Sequence, residues 1–162
     1  MEQIHPQTKI GHVHLKVSDL QASITFYTEI LGFTLTQRFG SSAAFLSAGG
    51  YHHHIGLNTW ESKGGTPPPT GSTGLYHFAI LLPDRKALAT VLKHLVEVGW
   101  PLDGAADHGV SEAIYFRDPD QNGIEIYVDR RDDEWPRTPD GSLSMGTQAL
   151  DLEALLKLSD RD

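Results

Sequence analysis

The sequence predicts an α+β protein built from two successive βαβββ units, and three observations lead there. A strand-like alternation followed at once by a helix start occurs twice, near residues 10–31 and again near 75–99. His12 and His77 stand 65 residues apart, as do Asp19 and Asp84. The helix ends Leu31-Gly32-Phe33 and Val98-Gly99-Trp100 are 67 apart, which makes the second helix about two residues longer. A recurrence of this kind marks a duplicated supersecondary unit.

The first unit, 10–62, opens with Ile10 to Val17, where Val13, Leu15 and Val17 share one face and His12, His14 and Lys16 the other, as a half-buried strand requires. Ser18 or Asp19 caps a helix, with Gln21 three residues after the serine. Leu20, Ile24, Tyr27 and Leu31 form its apolar stripe, and Gly32 ends it. Strands are expected at Phe33–Phe39, Ala43–Ser47 and Tyr51–Asn58, with turns at Gly40 and at Gly49-Gly50. A Gly/Pro/Ser/Thr linker covers 63–74.

The second unit, 75–129, repeats the order. Leu75–Leu82 is a strand, and Pro83-Asp84 opens a helix carrying Leu88, Val91, Leu92, Leu95 and Val96. Strands follow at Leu102–His108, Ala113–Arg117 and Gly123–Asp129. Residues 1–9 form an N-terminal arm. The tail, 130–162, is charged and Pro/Gly-rich and ends in a short helix around Leu150 to Leu158, expected to lie on the body or on a second subunit.

Composition narrows the function classes. With 39% hydrophobic and 21% charged residues among 162, the chain is an ordinary globular domain plus an appendage. Its net charge of −8 argues against nucleic acid or an anionic membrane as partner. The absence of cysteine removes disulfides, thiolate metal sites and cysteine nucleophiles. No apolar run has the length of a signal peptide or a membrane span, so the expected setting is cytoplasmic. Nine histidines are the one unusual number.

Several polar residues sit on otherwise apolar strands. His12 opens the first strand, His77 holds the equivalent place in the second unit, and Glu125 lies in GIEIYV, where Ile124, Ile126 and Val128 must face a core. Each alone reads as a half-exposed strand residue. Together, if the two modules curl around one cavity, they supply two imidazoles and a carboxylate. That set is a facial triad, which leaves positions open on Fe(II) for substrate and dioxygen. His14 has the same parity as His12 and is the alternative ligand, although the match to His77 favours His12.

In His52-His53-His54, a strand would send His53 to the face of Ile55 and Leu57. One inward histidine could serve there as a general acid/base, because its ordinary pKa lies near neutrality. Tyr115 shares a face with Ala113 and Arg117 and could present its hydroxyl to the cavity; His108 lies in the loop-like AADHGVSE. His5 and His94 read as surface residues.

On GHVHLKVSDLQASITFYTEILGF, LYHFAI and FRDPDQNGIEIYVD, about residues 9–129, the chain resembles the vicinal oxygen chelate superfamily of glyoxalase I, bleomycin-resistance proteins and extradiol dioxygenases. The resemblance implies paired βαβββ modules forming a U-shaped mixed sheet around a central metal cavity, with metal ligands at His12, His77 and Glu125. The strand position where glyoxalases place a fourth, carboxylate ligand falls near Ile55 here, which favours three ligands. Within the superfamily, His108, Ile114-Tyr115, Asp118-Pro119 and Glu125 are similar to the signature of catechol 2,3-dioxygenase-type enzymes. The fit departs from that signature at Ala106 and at the late glycine, Gly123. HHHIG resembles the strand that supplies the family's catalytic histidine, which would be His53.

The resemblance therefore implies an extradiol oxidoreductase that uses non-heme Fe(II), with Mn(II) as the alternative metal, on an aromatic diol and O2. His53 would take a catechol proton, and Tyr115 and His108 would hydrogen-bond the substrate oxygens. The rivals are a glyoxalase-like lyase or isomerase using Zn or Ni, a thiol transferase, and a metal-free ligand binder of the bleomycin-resistance kind. Single-pair members of the superfamily are commonly homodimers, and the tail around Trp135 and the terminal leucines could make that contact. The run Asp132 to Arg137 resembles a segment that follows the first module pair in longer catechol 2,3-dioxygenase-like proteins, so the chain reads as a stand-alone version of that half.

Overall fold

The computed structural model describes residues 3–159 and divides into two compact units, Met1–Thr66 and Pro67–Asp162. The first contains β1 (Val13–Lys16), α1 (Leu20–Thr25), a π-helical turn (Phe26–Ile30), β2 (Thr34–Phe39), β3 (Ala43–Ser47) and β4 (Ile55–Asn58). Its sheet runs β1-β4-β3-β2, with β1 and β4 parallel and the other pairs antiparallel. The second contains β5 (Phe78–Leu81), α2 (Arg85–Glu97), β6 (Leu102–Asp107), β7 (Ser111–Arg117) and β8 (Gly123–Asp129), then a short 3₁₀ turn, β9 (Gln148–Ala149) and α3 (Leu152–Ser159). Its sheet runs β5-β8-β7-β6-β9, again with only the first pair parallel. The two sheets share one topology apart from β9, and the architecture is α+β, with two mixed sheets.

Local chemistry sets the helix starts. The Asp19 carboxylate accepts hydrogen bonds from the backbone N–H groups of Gln21 at 2.9 Å and Ala22 at 3.0 Å. Asp84 accepts one from Ala87 at 2.8 Å. Each satisfies donors that a helix start leaves unpaired. Beyond Thr25 the first helix widens: the Leu31 N–H reaches back five residues to the Phe26 carbonyl. The wider turn rotates the apolar stripe, so Phe26 is buried beside Tyr27 while Leu31 is only half-buried.

Three expected strands start three or more residues later than the sequence pattern. β1 starts at Val13 and β5 at Phe78, so His12 and His77 each stand one residue before their strand. β4 starts at Ile55, so His52–His54 lie outside it. Backbone and side-chain bonds together hold that segment: the His54 N–H donates to the Leu46 carbonyl at 2.8 Å, and the His54 carbonyl accepts from the Val13 N–H at 3.0 Å. Thr36 Oγ1 donates to the His52 carbonyl at 3.1 Å, and His54 Nδ1 lies 3.3 Å from the Ala48 N–H. The parity expected for His53 therefore does not apply. β7 conversely begins two residues early, at Ser111.

In the second unit Ile114, Phe116, Ile124, Ile126 and Val128 point to the face covered by α2, whose Leu88, Leu92 and Leu95 are fully buried. The C-terminal α3 packs on α2 through Leu155, which has no exposed surface. The tail thus closes this unit's own core, and Trp135 donates from its indole N–H to the Arg130 carbonyl at 2.9 Å. Truncating Leu155 to alanine is expected to lower unfolding stability by about 2–5 kcal/mol, the usual range for a buried leucine. Urea denaturation of the two chains measures it, and an unchanged midpoint would remove α3 from the core. Among the described residues no helix is long and apolar enough to cross a membrane.

Candidate metal and proton-transfer site

β8 runs between β5 and β7, and its register places Glu125 beside Ala79 on one side and Tyr115 on the other. Ile124 and Ile126 are committed to the core, so strand alternation turns Glu125 to the opposite face. There its Oε2 lies 2.8 Å from His77 Nε2. Its Oε1 lies 3.3 Å from the Tyr115 hydroxyl oxygen. The same hydroxyl sits 2.7 Å from His108 Nε2, and His108 Nδ1 lies 2.9 Å from the Gly146 carbonyl. Four side chains from four segments thus form one chain of contacts, His77–Glu125–Tyr115–His108. Burial first, and then the Glu125 carboxylate, push the Tyr115 phenol up to about 12. It is a neutral donor at physiological pH.

Gly123 makes room for this arrangement. A Cβ there would stand 2.2 Å from the Tyr76 carbonyl oxygen and 3.1 Å from His77 Cβ. Backbone cannot yield as a side-chain tip can, so Gly123→Ala should push the Tyr76–His77 segment off β8. A cost of about 1–3 kcal/mol follows from overpacking, together with weaker metal uptake. Thermal melting and metal titration of this variant test both; wild-type values in both would show that the segment moves freely.

In the first unit, Val13 pairs with Ile55 and His14 with Gly56, just as Phe78 pairs with Ile124 and Ala79 with Glu125. The position equivalent to Glu125 is therefore Gly56, one residue beyond the expected Ile55. A Cβ at Gly56 would meet the His14 ring at 2.9 Å, so imidazole covers the place where a second carboxylate would stand. His14 also lies against Phe45 and Trp60, with ring centroids 6.0 and 5.6 Å away. Burial and then the charge of His12 lower its pKa. Phe45 opposes Gly56 as Tyr115 opposes Glu125.

His12 occupies the place equivalent to His77 and packs its ring 4.5 Å from that of His53. His53 also contacts Phe45, at 5.0 Å, and its Nδ1 lies 2.7 Å from His52 Nδ1. One ring nitrogen of that pair must donate to the other. Burial, followed by the charges of His12, His52, His14 and His54, holds the His53 pKa below its ordinary 6.5. Its ring is a neutral base at physiological pH.

The structure brings His77, Glu125, Tyr115 and His108 together in one unit and His12 beside His53 in the other. Among the described residues, no three His, Cys, Asp or Glu side chains in either unit form a metal-holding group. An imidazole nitrogen and a carboxylate oxygen converging at 2.8 Å on one sheet face nevertheless match the donors that first-row divalent metals prefer. Two contacts escaped sequence reasoning, the His14 ring over Gly56 and the Gly146 carbonyl on His108. Strand periodicity carries no signal for either, since both depend on non-local pairing.

Two βαβββ units of common topology, one carrying a His–Glu pair on its open sheet face, define a duplicated α+β scaffold. Residues 9–126 match the family model of the Glyoxalase/Bleomycin resistance protein/Dioxygenase superfamily, and the chain belongs to that family. It is 42% identical over 158 residues to "Catechol-2,3-dioxygenase" of Bacillus subtilis, covering 97% of this chain and 54% of that protein. It is 30% identical over 122 residues to "Biphenyl-2,3-diol 1,2-dioxygenase 3" of Rhodococcus globerulus, covering 75% of this chain and 63% of that one. The chain thus spans between half and two thirds of the length of these relatives. Among solved structures, a glyoxalase/dioxygenase from Nostoc punctiforme superposes with a TM-score of 0.63 at 22% identity, over 81% of this chain and 99% of the other.

Proposed function

We propose that this chain is a metal-dependent extradiol dioxygenase that opens a catechol-type ring beside its vicinal hydroxyls. The observation that carries the reading is the run His77–Glu125–Tyr115–His108, where an imidazole–carboxylate pair adjoins a neutral phenol and a second imidazole. The likeness to proteins named catechol-2,3-dioxygenase and biphenyl-2,3-diol 1,2-dioxygenase supports it. In the overall change both atoms of O2 enter the product, one ring C–C bond breaks, and no external reductant is consumed.

His77 and Glu125 would contribute to holding a divalent metal, iron(II) or manganese(II), which would supply a Lewis-acidic template for the diol and a path for electron density to dioxygen. His53, held neutral by burial and by its histidine neighbours, accepts a proton from one catechol hydroxyl and returns it as the ring opens. Tyr115, neutral across the physiological range and donating to His108, accepts a hydrogen bond from a substrate hydroxyl. His108 polarises that phenol and fixes its direction. Orienting the diol in this way removes entropy from the barrier.

The test is oxygen uptake. The chain, prepared without a His tag and loaded anaerobically with Fe(II) or Mn(II), is expected to consume one O2 per catechol and to yield a yellow ring-opened product. No uptake across a panel of substituted catechols by a chain holding one metal would overturn the reading. Turnover of a thiol adduct without oxygen consumption would instead assign glyoxalase or thiol-transferase chemistry.

A further inference from the structure

We propose that the backbone strap formed by residues 136–147 is a positioning element for the reaction, because the Gly146 carbonyl fixes the tautomer of His108. The inference rests on the reading of His108 and Tyr115 given above and adds a device outside the family-matched region, which ends at residue 126.

The strap is built and anchored within its own unit. Residues 136–144 fold back as a small loop: Ser144 N–H donates to the Pro136 carbonyl at 2.9 Å, and Arg137 bridges Leu143. Gly146 N–H then donates to the His108 carbonyl at 3.1 Å, and β9 pairs Gln148 with Asp107 and Ala149 with Ala106 on the edge of β6. At the other end the strap rests on Gly109. That residue has φ +77°, and a Cβ on it would meet Pro136 Cγ at 2.9 Å. Anchors therefore lie on both sides of His108, and they aim a backbone carbonyl at its ring.

The chemistry follows from what a carbonyl can do. It only accepts, so an Nδ1···O separation of 2.9 Å requires the proton on Nδ1. In a neutral ring Nε2 is then the acceptor, and at 2.7 Å it takes the Tyr115 hydroxyl proton into its hydrogen bond. With the opposite tautomer, Nε2–H would face the phenol oxygen, and the hydroxyl would turn its proton to Glu125 Oε1, now 3.3 Å away. The strap thus decides whether the phenol points at the histidine or at the proposed metal ligand. Thr147 Oγ1, the other group near Nδ1, lies at 3.4 Å. It is the weaker partner and, as a hydroxyl, could serve either tautomer.

The test reads the tautomer directly. In the full chain labelled with 15N-histidine, metal-free and with a diamagnetic divalent ion, two-bond 1H–15N correlations distinguish Nδ1–H from Nε2–H; loss of one spin system in His108→Gln assigns the signal. His108 is expected as Nδ1–H, and an Nε2–H ring in the full chain overturns the proposal. Gly146→Pro removes the N–H anchor on the His108 carbonyl, while the α3 contacts stay in place. It is expected to lose the Nδ1–H preference and to lower kcat about tenfold to a hundredfold with a smaller change in KM, the range seen for partners that orient reacting groups. An unchanged tautomer in folded Gly146→Pro overturns the proposal. Thr147→Val is expected to keep Nδ1–H, and a switch there would assign the role to the hydroxyl instead. Should Gly146→Pro fail to fold, the full chain and Thr147→Val still decide. If the native chain shows no ring cleavage at all, the proposed function fails while the NMR result on the strap stands.

Discussion

Glu125→Ala is expected to fold and to lose its divalent metal. Glu125 is aimed at the open face of its sheet, with His77 Nε2 at 2.8 Å and 14% of its side chain exposed. Removing even a group that only orients a ligand typically costs 10- to 100-fold in metal affinity. Losing a charged ligand should exceed about 100-fold. The fold should survive, because Ile124 and Ile126 keep their places in the core and water can reach the half-exposed His77 and Tyr115. Elemental analysis after anaerobic loading and desalting measures the outcome, with circular dichroism as the control for folding. One metal per chain retained by Glu125→Ala would sink the ligand assignment. Glu125→Gln keeps the shape and an oxygen acceptor for Tyr115 but removes the charge, and should hold metal between the two extremes.

His53→Phe should produce the opposite split, with metal retained and turnover lost. Phenylalanine can occupy the space beside Phe45 and the His12 ring, where His53 already makes ring contacts at 5.0 and 4.5 Å. What it lacks is a nitrogen to accept the diol proton. Acid/base assistance contributes about 10²–10⁴-fold, so kcat should fall by that factor while metal content stays near that of the parent chain. Steady-state oxygen uptake, with metal quantified on the same sample, reads both quantities. Full turnover in the variant would move the proton to another of the clustered histidines, and His52, with its Nδ1 2.7 Å from that of His53, would be the next to replace.

The duplicated pattern was legible because it is local. Asp19 and Asp84 cap their helices as their place before an apolar stripe requires. In GIEIYV the alternation alone turned Glu125 away from the core, since Ile124 and Ile126 can be satisfied only there. His12 and His77 took equivalent positions at the heads of their first strands for the same reason. The histidine triplet was misread because an alternating pattern cannot say where a strand begins. Side-chain bonds from Thr36 and to His54 supplement the backbone bonds of His54 there, and β4 starts only at Ile55.

The sequence by itself thus determined the α+β class, the repeat, the helix caps and the sheet face on which Glu125 stands, because each follows from a period or a cap within a few residues. Register and contact belong to the tertiary structure. Pairing of β1 with β4 placed Gly56, under the His14 ring, where a second carboxylate would otherwise stand. Pairing of β6 with β9 brought Gly146 to His108 from 38 residues away, and the hairpin of β6 and β7 closed His108 onto Tyr115. Such meetings depend on how distant strands slide past one another, and one residue of slip exchanges every partner.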